Sequence, residues 1–104
     1  MGFIFVYITN PSEEEAKKLA KHLVENRLAA CVSIFPVSSL YWWEGKLADE
    51  KEFVTLCKTT EEKFEELEEE VKKIHPYKVP CIVKIPVESN KEYEDWVRKE
   101  LNRE

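Results

Sequence analysis

Residues 3–11, Phe3-Ile4-Phe5-Val6-Tyr7-Ile8-Thr9-Asn10-Pro11, decide how this chain folds. The run Phe3 to Ile8 is strand-sized and built from the β-branched and aromatic types that pack well on a pleated surface. Thr9-Asn10-Pro11 ends it with turn chemistry. A strand with one face to water alternates apolar and polar side chains. This one is apolar or aromatic at every position, so both of its faces are predicted to be covered.

Working outward, Ser12 opens a helix with Glu15 three positions on, a capping-box pattern. Ala16, Leu19, Ala20, Leu23, Val24 and Leu28 recur at helical spacing, opposite a charged face of Glu14, Lys17, Lys18, Lys21 and Glu25. Ala29 to Val37 reads as a second strand with Pro36 near its end, an edge or bulge feature. Leu40 to Lys46 is aromatic-rich and turns at Glu44-Gly45; Lys51 to Thr59 is a further strand. Thr59 with Glu62 is a capping-box candidate for a helix burying Phe64, Leu67, Val71 and Ile74, which Pro76 stops. Its acids come first and Lys72-Lys73 last, as the helix dipole favours, with Glu68–Lys72 and Glu69–Lys73 as i,i+4 pairs. Cys81 to Val87 is the last long strand. Ser89 with Glu92 starts a terminal helix through Tyr93, Trp96, Val97 and Leu101.

This order predicts one α+β domain over residues 1–104, a ferredoxin-like split β-α-β sandwich with an antiparallel sheet and the helices on one face. Three helices cannot cover both sides of such a sheet. The bare face would expose more apolar area than soluble monomers usually carry, and each large side chain buried there is worth roughly 1.5–3 kcal/mol. A homo-oligomer is therefore expected, with the sheet faces and the Tyr41-Trp42-Trp43 hairpin meeting across subunits. The competing arrangement folds the terminal helix over the open face.

Composition narrows the function classes. The 104 residues carry 16 basic and 21 acidic side chains, a net charge of -5, which opposes a nucleic-acid footprint. No apolar run reaches the roughly 18 residues of a spanning helix, so no membrane partner is expected. Met1-Gly2 leads into the first strand without a basic segment or cleavage site, and Cys31, Cys57 and Cys81 are an odd, widely spaced set. Both features point to reduced thiols and a cytoplasmic address. The absence of Gln and the dominance of Glu and Lys match heat-adapted proteins, and a thermostable protein is expected.

Several blocks in order resemble one family. They are Thr9-Asn10-Pro11, Leu28-Ala29-Ala30-Cys31-Val32, Ser39-Leu40-Tyr41-Trp42-Trp43-Glu44-Gly45-Lys46, Lys58-Thr59, His75-Pro76-Tyr77 with Pro80, and Tyr93 with Trp96. Together they span nearly the whole chain and resemble the CutA family of divalent-cation tolerance proteins. The resemblance implies a ferredoxin-like subunit in a homotrimer, a link to tolerance of copper and other divalent cations, and no established reaction. It also implies candidate lining of a ligand cleft by Lys58, Tyr77 and Trp96. The copper ligands described for bacterial members, a Cys late in the first strand and a His pair before Pro-Tyr, fall here on Ile8, Ile74 and His75, so only His75 keeps its type.

Read from their own chemistry, the metal donors are His75 and Cys81, a soft pair flanking the Pro76–Pro80 loop. Against this stand a helix-stopping His75 that caps carbonyls and a Cys81 that packs as a small hydrophobe. Cys31 and Cys57 read as mid-strand hydrophobes, and His22 as a solvated helix-edge residue. Glu44, Asp49 and Glu50 form an acidic turn. No cofactor is required by any motif; a divalent cation such as copper is the candidate ligand. A binding or regulatory module ranks first, ahead of an RNA-binding sheet and a thiol enzyme using Cys31 or Cys81 with His75.

Overall fold

A computed structural model describes residues 2–103. Its elements are β1 (Phe3–Asn10), α1 (Glu13–Glu25), β2 (Cys31–Trp43), β3 (Lys46–Thr60), α2 (Glu61–Ile74), β4 (Ile82–Pro86) and α3 (Lys91–Leu101). The strands form one antiparallel sheet in the order β2-β3-β1-β4. This is the α+β split β-α-β sandwich the sequence predicts, with β1 central as its unbroken apolar run requires.

The sequence divides residues 29–59 into three strands; the structure joins them into one long hairpin. Residues that look like breaks pair with each other across it, Ser38 with Lys51 and Ser39 with Glu50. The outer part of the hairpin extends past the helices, so polar side chains there meet water without interrupting the ladder. Pro36 is tolerated inside β2 because β2 is an edge strand, where a missing N–H breaks no required bond. Glu44 and Gly45 close the hairpin with φ of 49° and 80°, the doubly left-handed two-residue turn that follows strand twist.

Side chains along a strand alternate between faces, so the register sorts the sheet. Ile4, Val6 and Ile8 point toward α1 and α2 and share a core with Leu19, Leu23, Leu67, Val71 and Cys57. Phe3 and Phe5 point the other way, where Phe3 packs with Val97 and Leu101 of α3 and Tyr93 closes the edge. The two long helices thus lie on one face, as expected. The terminal helix takes a corner of the opposite face, because only there do Phe3 and Phe5 offer it an apolar seat. It leaves the rest of that face uncovered: Phe35, Val83 and Ile85 stay exposed in the single chain.

Helix ends depart from the predicted caps in instructive ways. Ser12 accepts from the Glu15 N–H as expected, at 3.1 Å. Thr59 does not cap α2; its buried hydroxyl donates to the Leu28 carbonyl at 2.7 Å, and Thr60 holds the N-cap position without a side-chain bond. Ser89 likewise gives way to Asn90. Asn26 and Arg27 end α1 in a Schellman arrangement: the Leu28 N–H reaches the Leu23 carbonyl and Arg27 adopts φ of 58°. No glycine marks this stop in the sequence. Arg27 is fixed instead by its guanidinium, which donates to the backbone and carboxylate of Glu100 on α3.

Three smaller expectations also change. Ile74 is exposed rather than buried, because α2 has run past the core by its last turn. Lys73 pairs with Glu70 rather than Glu69. His22 is not simply solvated: its Nε2 lies 2.9 Å from Glu70 Oε1 and ties α1 to α2. That contact, with Lys73, holds the Glu70 carboxyl below the usual carboxylate range.

Candidate functional site

The uncovered face carries its unusual chemistry at two places. The first follows from the hairpin. Because β3 alternates, Glu50 and Glu52 both point to the open face, opposite Ser39 and Val37. The loop after α2 folds back over them, and Tyr77 Oη donates to Glu52 Oε2 at 2.6 Å. Between hairpin and loop lies an open cleft of about 910 Å3, walled by Tyr7, Thr9, Tyr41, Trp43, Tyr77 and Cys81, with Lys78 and Val79 on the loop side.

Glu52 is the distinctive member. It is only 5% exposed, and no basic side chain among the described residues forms an ion pair with it. Its charge is felt by everything nearby. Burial pushes the Tyr77 phenol up strongly and Glu52 pushes it further. Tyr41 is raised by desolvation and then by Glu52 and Glu50. The Cys81 thiol is raised by burial and Glu52, against a hydrogen bond with Thr9 that lowers it. The cleft therefore brings two acidic side chains, Glu50 and Glu52, together with the Tyr41 and Tyr77 hydroxyls on one face.

His75 holds the loop in place. Its Nε2 donates to the Thr9 carbonyl at 2.8 Å, and its Nδ1 accepts from the Tyr77 N–H at 3.1 Å. A carbonyl can only accept, so the ring is the Nε2–H tautomer and its one lone pair is engaged. Its backbone N–H closes the helix on the Val71 carbonyl. His75 and Cys81 both approach Thr9, yet the imidazole has no free nitrogen for a metal. Among the described residues no group of three or more His, Cys, Asp or Glu side chains is arranged to hold a metal ion. The His75–Cys81 donor pair does not fit a copper centre within one chain.

The second place is the other end of the face. Lys58, 8% exposed, donates to Ser33 Oγ and lies 3.7 Å from Cys31 Sγ. Its ammonium sits 5.9 Å from the Phe5 ring centroid. Cys31 thus starts β2 half-buried against Lys58, where a mid-strand hydrophobe was expected. Trp96 stacks on Tyr93 at 5.8 Å on α3. Of Lys58, Tyr77 and Trp96, only Tyr77 lines the cleft in a single chain. Tyr41 and Trp43 line it too, while Trp42, 74% exposed, projects from the opposite side of the hairpin beside exposed Leu47.

Cys57 lies in the helix-side core, where burial pushes its thiol up to about 12; it is chemically quiet. All three cysteines are unpaired. No helix among the described residues is long and apolar enough to cross a membrane. Sequence reading missed Glu52, Tyr7 and Thr9 as cleft residues. The available signal was a lone acid immediately before the apolar Phe53-Val54, inside a strand rather than in the acidic turn.

Comparison with known proteins gives a consistent result. Residues 4–100 match the family model of the CutA1 divalent ion tolerance protein. The chain is 53% identical over 94 residues to the divalent-cation tolerance protein CutA of Archaeoglobus fulgidus, covering 89% of this chain and 92% of the relative. It is 52% identical over 96 residues to the Thermus thermophilus protein of the same name, covering 90% and 93%. The solved structure of the periplasmic divalent cation tolerance protein CutA from Archaeoglobus fulgidus superposes with a TM-score of 0.93 at 50% identity, covering 96% of this chain and 99% of that one.

Proposed function

The chain belongs to the CutA1 divalent ion tolerance family, and we propose that it acts there as a homotrimeric binding or regulatory module without chemistry of its own, responding to copper and other divalent ions. The observation that carries this reading is the uncovered sheet face. Phe35, Val83 and Ile85 are exposed there in one chain, next to a cleft whose buried Glu52 is hydrogen-bonded by Tyr77. Copies of the same chain would cover this apolar face, with the Tyr41-Trp42-Trp43 hairpin at the contact.

Several features support the absence of a reaction. Nucleophilic catalysis needs a thiolate and a base in reach. Cys81 is pushed toward the protonated form, both His75 nitrogens are engaged, and Cys31 lies against Lys58 at the other end of the face from His75. The three unpaired cysteines favour a reducing compartment, so the reading includes a cytoplasmic address. Nucleic acid and membrane are not among the proposed partners.

Two measurements test it. Light scattering in dilute solution should give three times the chain mass; a soluble single chain would overturn the trimer. Calorimetric titration of metal-free protein with copper(II), zinc and magnesium should give saturable heat. That heat should persist in His75→Ala, whose imidazole has no free lone pair, and fall in Glu52→Gln. Heat only at millimolar ion, equal in all variants, would remove ion binding from the function.

A further inference from the structure

Cys31 and Lys58 stand directly opposite each other in the β2–β3 register, and the Ala30 N–H bonds the Lys58 carbonyl at 3.0 Å beside them. Both side chains therefore rise from one face of the sheet, on backbone the ladder already fixes. Lys58 Nζ lies 3.7 Å from Cys31 Sγ and donates to Ser33 Oγ. Lys58 is almost fully buried, and among the described residues no carboxylate forms an ion pair with it. The amine is thus aimed at a hydroxyl and a sulfur rather than held by an acid. Tyr93 of α3 closes the cluster from the other side. Burial, then the charge and hydrogen bond of Cys31, push its phenol up.

The three thiols differ in what surrounds them. Peroxide is attacked by thiolates, and cationic neighbours favour that form. Cys57 is sealed in the helix-side core, and Cys81 sits beside the Glu52 carboxylate. Cys31 is half-buried with an ammonium against it, and Ser33, next on the same face, is exposed. The pair lies beside α3, at the far end of the face from Trp43. A small side-chain rotation brings nitrogen and sulfur within the roughly 3–3.5 Å from which bonds form.

We propose that Cys31 and Lys58 are a redox modification site, joined by hydrogen peroxide into a thiol-reversible S–N bond, a sulfenamide, between β2 and β3. The Cys31 thiolate attacks one peroxide oxygen; the S–O bond forms, the O–O bond breaks and hydroxide leaves. Sulfur is oxidised by two electrons and peroxide is reduced. The Lys58 ammonium then gives a proton to the sulfenic hydroxyl, which departs as water. The nitrogen lone pair closes the S–N bond, and the surplus proton goes to solvent. Sulfenic acids condense with nitrogen in this way. The product removes the buried ammonium from this end of the face. A thiol reverses it by attacking sulfur and releasing the amine. The inference needs neither ion binding nor the trimer, and the modification is stoichiometric, not a turnover.

Intact mass and peptide mapping of the full chain after hydrogen peroxide treatment test it. The treated chain should be lighter by two hydrogens, with the Cys31 peptide joined to the Lys58 peptide, and dithiothreitol should restore the parental mass. Cys57→Ala and Cys81→Ala should keep the link; Cys31→Ser should lose it. Lys58→Arg keeps the cation but offers no amine, so its Cys31 should instead accumulate sulfenic acid that dimedone traps. If Lys58→Arg folds poorly, mapping of the parental chain still decides. An unmodified Cys31, a Cys31 carrying oxygen beside a free Lys58, or a two-hydrogen loss that maps to a disulfide overturns the proposal. A link that survives in Cys31→Ser does so too.

Discussion

The two faces of the sheet are made from the same strands and behave differently. On the face toward α1 and α2, every neighbour along β1 finds apolar company, and Ile4, Val6 and Ile8 are essentially inaccessible. On the other face Phe3 is covered by α3, but Tyr7, Leu56 and Val83 run on toward a cleft holding Glu52. Alternation along one strand places both environments within a single residue step. A closed core tolerates nothing polar without a partner, and on the open face Glu52 is buried with the Tyr77 hydroxyl as its hydrogen-bond donor.

The sharpest break of that contrast is on the closed side. Leu23→Ala removes a fully buried side chain between α1 and the sheet and is expected to cost about 2–5 kcal/mol by denaturant unfolding. Next comes Val83→Lys on the open side. In an isolated chain this half-exposed position would change stability by only about 0.5 kcal/mol. If copies cover the face, the substitution buries an unpaired ammonium, and the light-scattering mass should fall toward that of one chain. An unchanged mass would mean that this part of the face stays wet in the assembly.

A third prediction concerns pH. The Cys57 thiol ionises in the unfolded chain at roughly 8.5 and in the fold only at about 12. Between those values the unfolded state has lost the proton and the folded state has not, so stability is whole below the interval and declines as pH rises through it. Cys57→Ala should flatten the alkaline side of the melting profile; an unaltered profile would point to other groups. The smallest effect is local. Ser12→Ala removes the cap on α1, far from either face, and is expected to cost about 1 kcal/mol with no change in mass or ligand binding.

How far the sequence reached depended on the range of the interaction. The Glu44-Gly45 turn, the Ser12 cap and the helical periods of Leu19/Leu23 and Leu67/Val71 were legible, because each depends on residues within one or two turns of each other. The same reasoning failed at Thr59, whose hydroxyl serves the Leu28 carbonyl 31 positions away, and at the three separate strands, whose polar gaps pair across the hairpin. Of the candidate site, Tyr41, Trp43, Tyr77 and Cys81 were picked out individually, yet Lys58 and Trp96 line a different part of the face.

From the sequence alone β1 was legible as an interior strand, since six apolar residues in a row leave little face for water; within the chain Ile4, Val6 and Ile8 are fully covered and Phe5 and Tyr7 only in part. The sequence by itself also determined where the helices begin to be amphipathic and which family the chain resembles. Only the tertiary structure decided that α3 covers one corner of the second face, that the His75 ring is locked between Thr9 and Tyr77, and that Glu52 is buried with the Tyr77 hydroxyl as its donor. Local conformation follows from neighbours along the chain. Burial and charge pairing follow from residues that meet only when distant segments pack, as Glu52 and Tyr77 do across 25 positions.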